Sequence, residues 1–246
     1  ARWMEQRLPQ LKDRTLKQLV LPASHDSGMY LNGLALLAKT QDLSIYGQLA
    51  NGIRYFDLRL KWSDGAFYIV HGAIQGPLFQ NVLNDIRTFL KDHKELTIFR
   101  FAHFEDLSDS VYKTLVDQIT ATIGPSLYRS LPTGKRLADV TLGSYLADEG
   151  VEGVALVVFD GDYLVNKPQR GFWVFRGGGS SRPAEGDLRV CGGYSNTTSD
   201  ATMKEDQFSQ FDKYNGFCVK KTDVPCDLFN FSWTLTPWTD VWANSK

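Results

Sequence analysis

Two histidines, two aspartates and an arginine punctuate otherwise apolar stretches in the first third of the chain. His25 and Asp26 lie in Leu21-Pro22-Ala23-Ser24-His25-Asp26-Ser27, where the apolar run Leu19 to Leu21 reads as a short buried strand ended by Pro22. An imidazole titrates near neutral pH, and the adjacent Asp26 offers it a charge or a hydrogen-bond acceptor. Asp57 and Arg59 stand two apart in Gly52-Ile53-Arg54-Tyr55-Phe56-Asp57-Leu58-Arg59-Leu60, so on a strand they project to one face. His71 closes the next β-rich run, Tyr68-Ile69-Val70-His71-Gly72. A charge inside a buried strand is costly unless it is paired or functional. Each piece has a structural reading when taken alone. Asp26 and Ser27 could cap the next helix, Asp57 and Arg59 could form a salt bridge, and His25, Asp26, Asp57 and His71 could be a set of metal ligands. Gathered on three successive strand ends, the same groups suit acid–base work. One imidazole removes a proton, the other delivers one, and the guanidinium neutralises an anion.

The elements that must hold these groups follow from the patterning. After an amphipathic opening over Trp3 to Lys17, residues 30–39 and 42–50 read as helices, with Gly52 as the stop. Strands over 54–61 and 67–71 flank a turn at Ser63-Asp64-Gly65. Asn81 then reads as the cap of a helix through His93, with Val82, Ile86, Phe89 and Leu90 on one face. A strand spans Glu95 to Phe104, Ser108 caps a helix reaching Gly124, and a short helix covers 141–149. Val154 to Phe159 is apolar on both faces, as in a covered parallel strand. Phe172 to Phe175 is a further strand, Gly177 to Asp200 a long Gly- and Ser-rich loop, 201–214 a helix, and Leu228 to Leu235 the last strand. This alternation predicts an α/β fold, either a parallel barrel or an open parallel sheet. Active sites of such barrels lie at the C-terminal ends of the strands.

Ala23-Ser24-His25-Asp26-Ser27 resembles the Gly-Thr-His-Asp-Ser motif of the phosphatidylinositol-specific phospholipase C family, with Ala and Ser in place of Gly and Thr. Arg54 to Arg59 is similar to that family's Arg-x-Phe-Asp-x-Arg strand, and His71-Gly72 to its second catalytic His-Gly. Weaker similarity runs through Trp3-Met4, the strand at 95–104, Tyr194-Ser195-Asn196-Thr197 and Ser232-Trp233-Thr234-Leu235-Thr236-Pro237, so it covers nearly the whole chain. The resemblance selects a distorted parallel (β/α) barrel of the TIM type, which we take as one domain over residues 1–246. It implies cleavage of phosphatidylinositol to diacylglycerol and inositol 1,2-cyclic phosphate. His25 would be the base on the inositol 2-hydroxyl and His71 the acid for the leaving oxygen. Asp26 and Arg59 would bind the phosphate as a pair, with Asp57 holding Arg59 in place. Metal-dependent relatives carry an acid where this chain has Arg59, and another aligned with Phe101. A fixed guanidinium would repel a cation there, so the expectation is a reaction without metal or other cofactor. The rival readings are a glycerophosphodiester phosphodiesterase that needs a divalent cation, and a non-catalytic phosphoinositide-binding barrel.

Further residues carry weaker expectations. Arg100 and His103 lie three apart on one strand and cannot share a face, and His103, nearer the strand's end, is the one expected to line the site. Asp160 and Arg176 end strands and could bind inositol hydroxyls or form ordinary salt bridges, and Tyr194 joins them as a substrate-binding candidate. A base histidine needs a carboxylate on its other nitrogen. Asp240, the only acid after the last strand, is expected to supply it, with a helix cap as the alternative, and Trp238 and Trp242 beside it would touch lipid. Among three cysteines, Cys218 and Cys226 flank a loop that a disulfide could close, although ordinary thiols fit equally, and nothing near Cys191 or the others has zinc spacing. A formal net charge of -1 provides no positive field for nucleic acid, and no apolar run is long enough to span a bilayer. The expected protein is a soluble monomer that meets phosphatidylinositol peripherally at a membrane surface. It is expected to be secreted, since Ala1 could follow a removed leader, with a cytoplasmic location as the alternative.

Overall fold

The strand that carries Asp57 and Arg59 is the one around which its neighbours are arranged. The computed structural model describes residues 1–32, 38–105, 107–147, 152–160, 169–177, 186–214 and 226–235, and the chain divides into two compact units, Ala1–Trp173 and Val174–Lys246. In the first unit, β1 (Ala23–Ser24) runs parallel to β2 (Tyr55–Ser63), which pairs in parallel with β5 (Leu96–Glu105), and β5 with β6 (Val154–Asp160). On the side of β2 opposite β5, β3 (Ala66–His71) pairs with it antiparallel and β4 (Ile74–Leu78) pairs antiparallel with β3. One edge of β2 is therefore shared. β1 meets Tyr55 and Phe56, and β3 meets Leu60 to Ser63. Asp57 lies where one partner has ended and the other has not begun.

Local chemistry explains these elements. The β2–β3 hairpin turns on Asp64 and Gly65, both at positive φ (52° and 77°), which suits an Asp-Gly pair in a two-residue loop. The helices of this unit are α1 (Trp3–Gln6), α2 (Leu8–Leu11), α3 (Ile45–Ala50), α4 (Phe79–Asp92), α5 (Asp109–Ile123) and α6 (Leu142–Tyr145). Ser44, Ser108 and Thr141 cap α3, α5 and α6, each hydroxyl accepting from a backbone N–H of the first turn. α4 buries Val82, Leu83, Ile86, Phe89 and Leu90, and β6 is buried at every position from Val154 to Phe159. Phe56 stacks on Phe99, and Phe101 meets Phe79 and Phe159 edge-on or tilted. Each such fully buried side chain contributes about 1.5–3 kcal/mol of transfer free energy, enough to keep the strands that bear the charged groups in register.

In the second unit β7 (Phe172–Gly177, which begins at the end of the first), β8 (Leu188–Cys191) and β9 (Leu228–Phe229) pair in parallel, and α7 (Asp200–Tyr214) joins β8 to β9. Cys191 is disulfide-bonded to Cys226, with Cα atoms 5.8 Å apart. Next to it Arg189 grips Asp227 through two nitrogens at 2.9 and 2.6 Å. Gln207 of α7 donates to Gly193 O and accepts from Ser232 N, tying the loop after β8 to the segment after β9.

Several sequence expectations are corrected. The apolar run Leu19 to Leu21 is not the first strand. Val20 is 92% exposed, and pairing starts at Ala23, where the chain can reach Tyr55. α3 starts at Ile45 rather than 42, and α4 at Phe79, so Asn81 is inside the helix instead of capping it. β4 and β8 were unforeseen, and the last strand shrinks to two residues. The disulfide joins Cys226 to Cys191, not to Cys218, because β8 and β9 are neighbours. Residue 218 lies outside the described residues, as do 33–37 within the helix expected over 30–39. The α/β class with a mostly parallel sheet is as expected.

Candidate active site

The loop leaving β1 is stitched to β2 at the point where that edge of β2, between β1 and β3, lacks a strand partner. Ser27 N donates to Asp57 O (2.8 Å), and Asp57 N donates to Ser27 Oγ (3.0 Å). Ser24 Oγ donates to Ser27 Oγ (2.7 Å), whose own proton goes to Ser24 O (2.8 Å). The small hydroxylated residues around His25-Asp26 thus satisfy the backbone of both segments. Asp26 itself adopts a left-handed backbone conformation, φ 43°, which turns its carboxylate inward.

That carboxylate gathers three groups. Asp26 Oδ2 lies 2.9 Å from His25 Nε2 and 3.3 Å from His71 Nε2, and Oδ1 lies 2.8 Å from Arg59 Nε. Asp57 gathers the rest. Its Oδ2 is 3.3 Å from His25 Nδ1 and 4.0 Å from Arg59 Nη2, and its Oδ1 is 3.4 Å from Arg100 Nη1. Arg100 Nη2 continues to Asp160 Oδ2 at 2.7 Å. Exposure rises outward along this network, from 1% for the Asp26 side chain and 5% for Asp57 to 25% for His25 and 32% for Asp160. The deepest groups are the carboxylates and the accessible ones are the imidazole and the outer acid.

Electrostatics follow the geometry. Burial pulls the His25 pKa down, but the hydrogen-bonding carboxylates of Asp26 and Asp57 more than offset it and raise it to about 9. Burial acts to raise Asp57, and the His25 hydrogen bond together with the charges of Arg100 and Arg59 overcomes it, holding the carboxyl well below its usual range. Burial likewise opposes the charge on Arg100, and Asp57, with Asp160 and Tyr55, holds the guanidinium protonated. His25 is therefore an imidazolium at neutral pH as long as both carboxylates face it.

Of the residues singled out in the sequence, His25, Asp26, Asp57, Arg59, His71 and Asp160 come together in the first unit. Among the described residues the carboxylate on His25 Nδ1 is Asp57, at 3.3 Å, and Asp240, expected there, lies outside the described residues with Trp238 and Trp242. Two assignments change. Arg59 is held chiefly by Asp26, so Asp57 serves His25 and Arg100 more closely than Arg59. Arg100, expected to point away from the site in favour of His103, is a β5 side chain that reaches the cluster, because sheet register puts it directly opposite Asp57. The side chains of His103 and Arg176 are outside the described set, and Tyr194 sits half-buried in the second unit after β8.

Among the described residues, His25, Asp26 and Asp57 bring ligand atoms close enough to share a cation, all within 4.8 Å of one another. The fit is poor: Arg59 already occupies Asp26 at 2.8 Å and stands 4.0 Å from Asp57, so a metal there would face a guanidinium on the same oxygens.

Comparison with known proteins supplies the context. No family model matches the chain. The solved phosphatidylinositol-specific phospholipase C of Listeria monocytogenes shares its fold at TM-score 0.60 and 22% identity, over 93% of this chain and 77% of that one. A Staphylococcus aureus phosphatidylinositol-specific phospholipase C aligns at TM-score 0.58 and 18% identity, over 90% and 74%. The fold is thus the α/β, TIM-type one of these phospholipases C. In sequence the chain is 28% identical over 243 residues to a PI-PLC X-box domain-containing protein of Dictyostelium discoideum, and 31% identical over 157 residues to the human PI-PLC X domain-containing protein 2. These matches take in 91% and 52% of this chain, and it spans only 30% and 51% of the two relatives. The resemblance seen in the motifs is borne out: the chain is similar in sequence to PI-PLC X domain-containing proteins and in fold to bacterial phosphatidylinositol-specific phospholipases C.

Proposed function

We propose that this chain cleaves phosphatidylinositol as a phosphorus–oxygen lyase, using His25 and His71 as base and acid and no metal ion. The observation that carries the reading is the single buried carboxylate of Asp26, which contacts both imidazoles and Arg59. The inositol 2-hydroxyl would approach His25 Nε2 and displace Asp26 from it. Losing one of its two carboxylates lowers the proton affinity of His25 toward neutrality, where it can accept the hydroxyl proton. The freed oxygen attacks phosphorus, the bond to the diacylglycerol oxygen breaks, and His71 protonates that oxygen. The products are diacylglycerol and inositol 1,2-cyclic phosphate. Asp57 on Nδ1 fixes the ring and stabilises the imidazolium that forms. Arg59 neutralises the phosphate oxygens in the transition state, a role that a cation would otherwise serve.

Asp160, at the accessible end of the network, is proposed to bind inositol hydroxyls, with His103, Arg176 and Tyr194 as further candidates. Among the described residues no helix is long and apolar enough to cross a membrane, and contact with the lipid is proposed to be peripheral; the protein is proposed to be a monomer. The Cys191–Cys226 disulfide supports an oxidising, extracellular setting. The test is diacylglycerol release from phosphatidylinositol vesicles, with phosphatidylcholine vesicles as the control. Release from the first alone, reduced about 100-fold or more in His25→Ala and His71→Ala, is expected. Equal release from both, or near-parental release in either variant, would refute the reading.

A further inference from the structure

Asp26 meets His25, His71 and Arg59 from a left-handed backbone, φ 43°, a sparsely populated conformation that contacts around it can hold in place. Such contacts come from the segment that leads into α3. Thr40 Oγ1 donates to Asp26 O at 2.8 Å, and Gln41 Nε2 donates to His25 O at 2.8 Å. Gln48 Nε2 donates to Ser27 O at 2.8 Å. Three consecutive carbonyls of the catalytic loop are therefore each held by a side chain from residues 40–48. The segment is itself pinned, since Thr40 N and Gln41 N both donate to Met29 O, at 3.0 and 3.2 Å. Gln48 is buried and supports packing as well, but Thr40 is exposed and Gln41 half-buried. Their hydroxyl and amide reach back to the loop without filling the core.

We propose that Thr40 and Gln41 are positioning residues, which hold the peptides on either side of the Asp26 Cα and so keep its carboxylate between His25, His71 and Arg59. The idea that the aligned groups cleave phosphatidylinositol rests on the function proposed above, whereas the alignment itself does not. Without the two donors, the peptide can relax toward the ordinary helical or extended regions, and the carboxylate swings off its partners.

Thr40→Val and Gln41→Met remove the donors while keeping shape. The double variant should melt close to the parent. Turnover on phosphatidylinositol should fall by tenfold or more with KM changed less than twofold, and Thr40→Ser should stay near parental rate. Proton NMR of the imidazoles gives a readout independent of activity. The His25 titration should move down by at least half a unit in the double variant, since Asp26 no longer faces Nε2 while Asp57 still faces Nδ1. If the parent lacks phospholipase activity but the His25 shift is seen, the functional reading fails and the positioning role stands. A double variant with parental His25 titration overturns the proposal, whatever its activity, and so does a Thr40→Ser variant as impaired as Thr40→Val. Should the double variant fail to fold, Gln41→Met alone, expected to shift His25 in the same direction, decides by the same titration.

Discussion

Two buried arginine–carboxylate clusters flank β2, and they differ in what is left over once the charges are paired. At its start Arg54 and Glu95 have no exposed side-chain surface. Arg54 Nε lies 2.8 Å from Glu95 Oε2, its Nη1 donates to Leu49 O and Ile53 O, and its Nη2 donates to Ala1 O. Glu95 in turn accepts from the backbone of Met4 and Glu5. Three residues into β2 the second cluster begins, and it is built otherwise. Its two buried carboxylates, Asp26 and Asp57, are shared among two imidazoles and two guanidiniums, and His25 and Asp160 stay partly open to solvent. A pair whose capacity is absorbed by backbone locks elements together. A network of several cations on few oxygens, with one accessible edge, can release a proton or take up an anion at small structural cost.

The sharpest way to break this comparison is to delete the groups proposed to do the chemistry. His25→Ala and His71→Ala should each lose about 100-fold or more in turnover, the share general acid–base catalysis supplies, while circular dichroism and melting show an intact fold. Near-normal turnover in either purified variant would put that imidazole outside the reaction.

The opposite cluster should behave in the opposite sense. Glu95→Gln leaves the Arg54 charge buried without its counter-ion, a loss of about 3–5 kcal/mol, read as a lower denaturant midpoint, with turnover per folded molecule unchanged. A Glu95 variant that is stable but inactive would erase the distinction.

Between these lies the carboxylate that serves His25. Asp57→Asn should lower turnover severalfold and depress the His25 pKa from its raised value of about 9, as measured by imidazole NMR. Superimposable titrations of variant and parent would show that some other group orients the ring.

The smallest expected effect is on stability against pH. The folded His25 value lies above its ordinary 6.5, so its contribution is complete below that pH and is lost as pH rises through about 9. Asp57 is depressed below its ordinary 3.8, so its contribution is present above that pH and is lost in acid, as pH falls through the folded value. The melting temperature of the parent should thus decline more steeply from neutral to alkaline pH than that of His25→Ala. Parallel declines would mean that the carboxylates do not hold the proton on His25.

Much of the second cluster was legible because its members interrupt short apolar runs, where unpaired charge is costly. Asp57 and Arg59 share a strand face by spacing alone, and His25-Asp26 and His71 lie at strand ends. Arg100 was passed over because its partner is set by the β2–β5 register, Asp57 opposite Arg100, which no local pattern encodes. An arginine in the otherwise apolar run from Ile98 to Ala102 was the available signal, of the same kind that singled out Asp57. For the same reason Asp57 was not singled out as a His25 partner: nothing in the spacing says that a strand interrupted at one edge turns Asp57 toward the loop after β1. The disulfide was misassigned because β8 hides in a Gly- and Ser-rich stretch, and without β8 nothing puts Cys191 beside Cys226. Thr40 and Gln41 act through backbone carbonyls and leave no pattern in sequence.

The central claim is that the Asp26-centred network, with Arg59 in the place of a cation, closes a cyclic phosphate. Phosphorus NMR of phosphatidylinositol vesicles incubated with the purified protein in excess EDTA tests it most directly. The account predicts that the phosphodiester signal gives way to inositol 1,2-cyclic phosphate at an undiminished rate. No turnover in chelator with full activity on adding calcium, or a phosphomonoester as the first product, would contradict it.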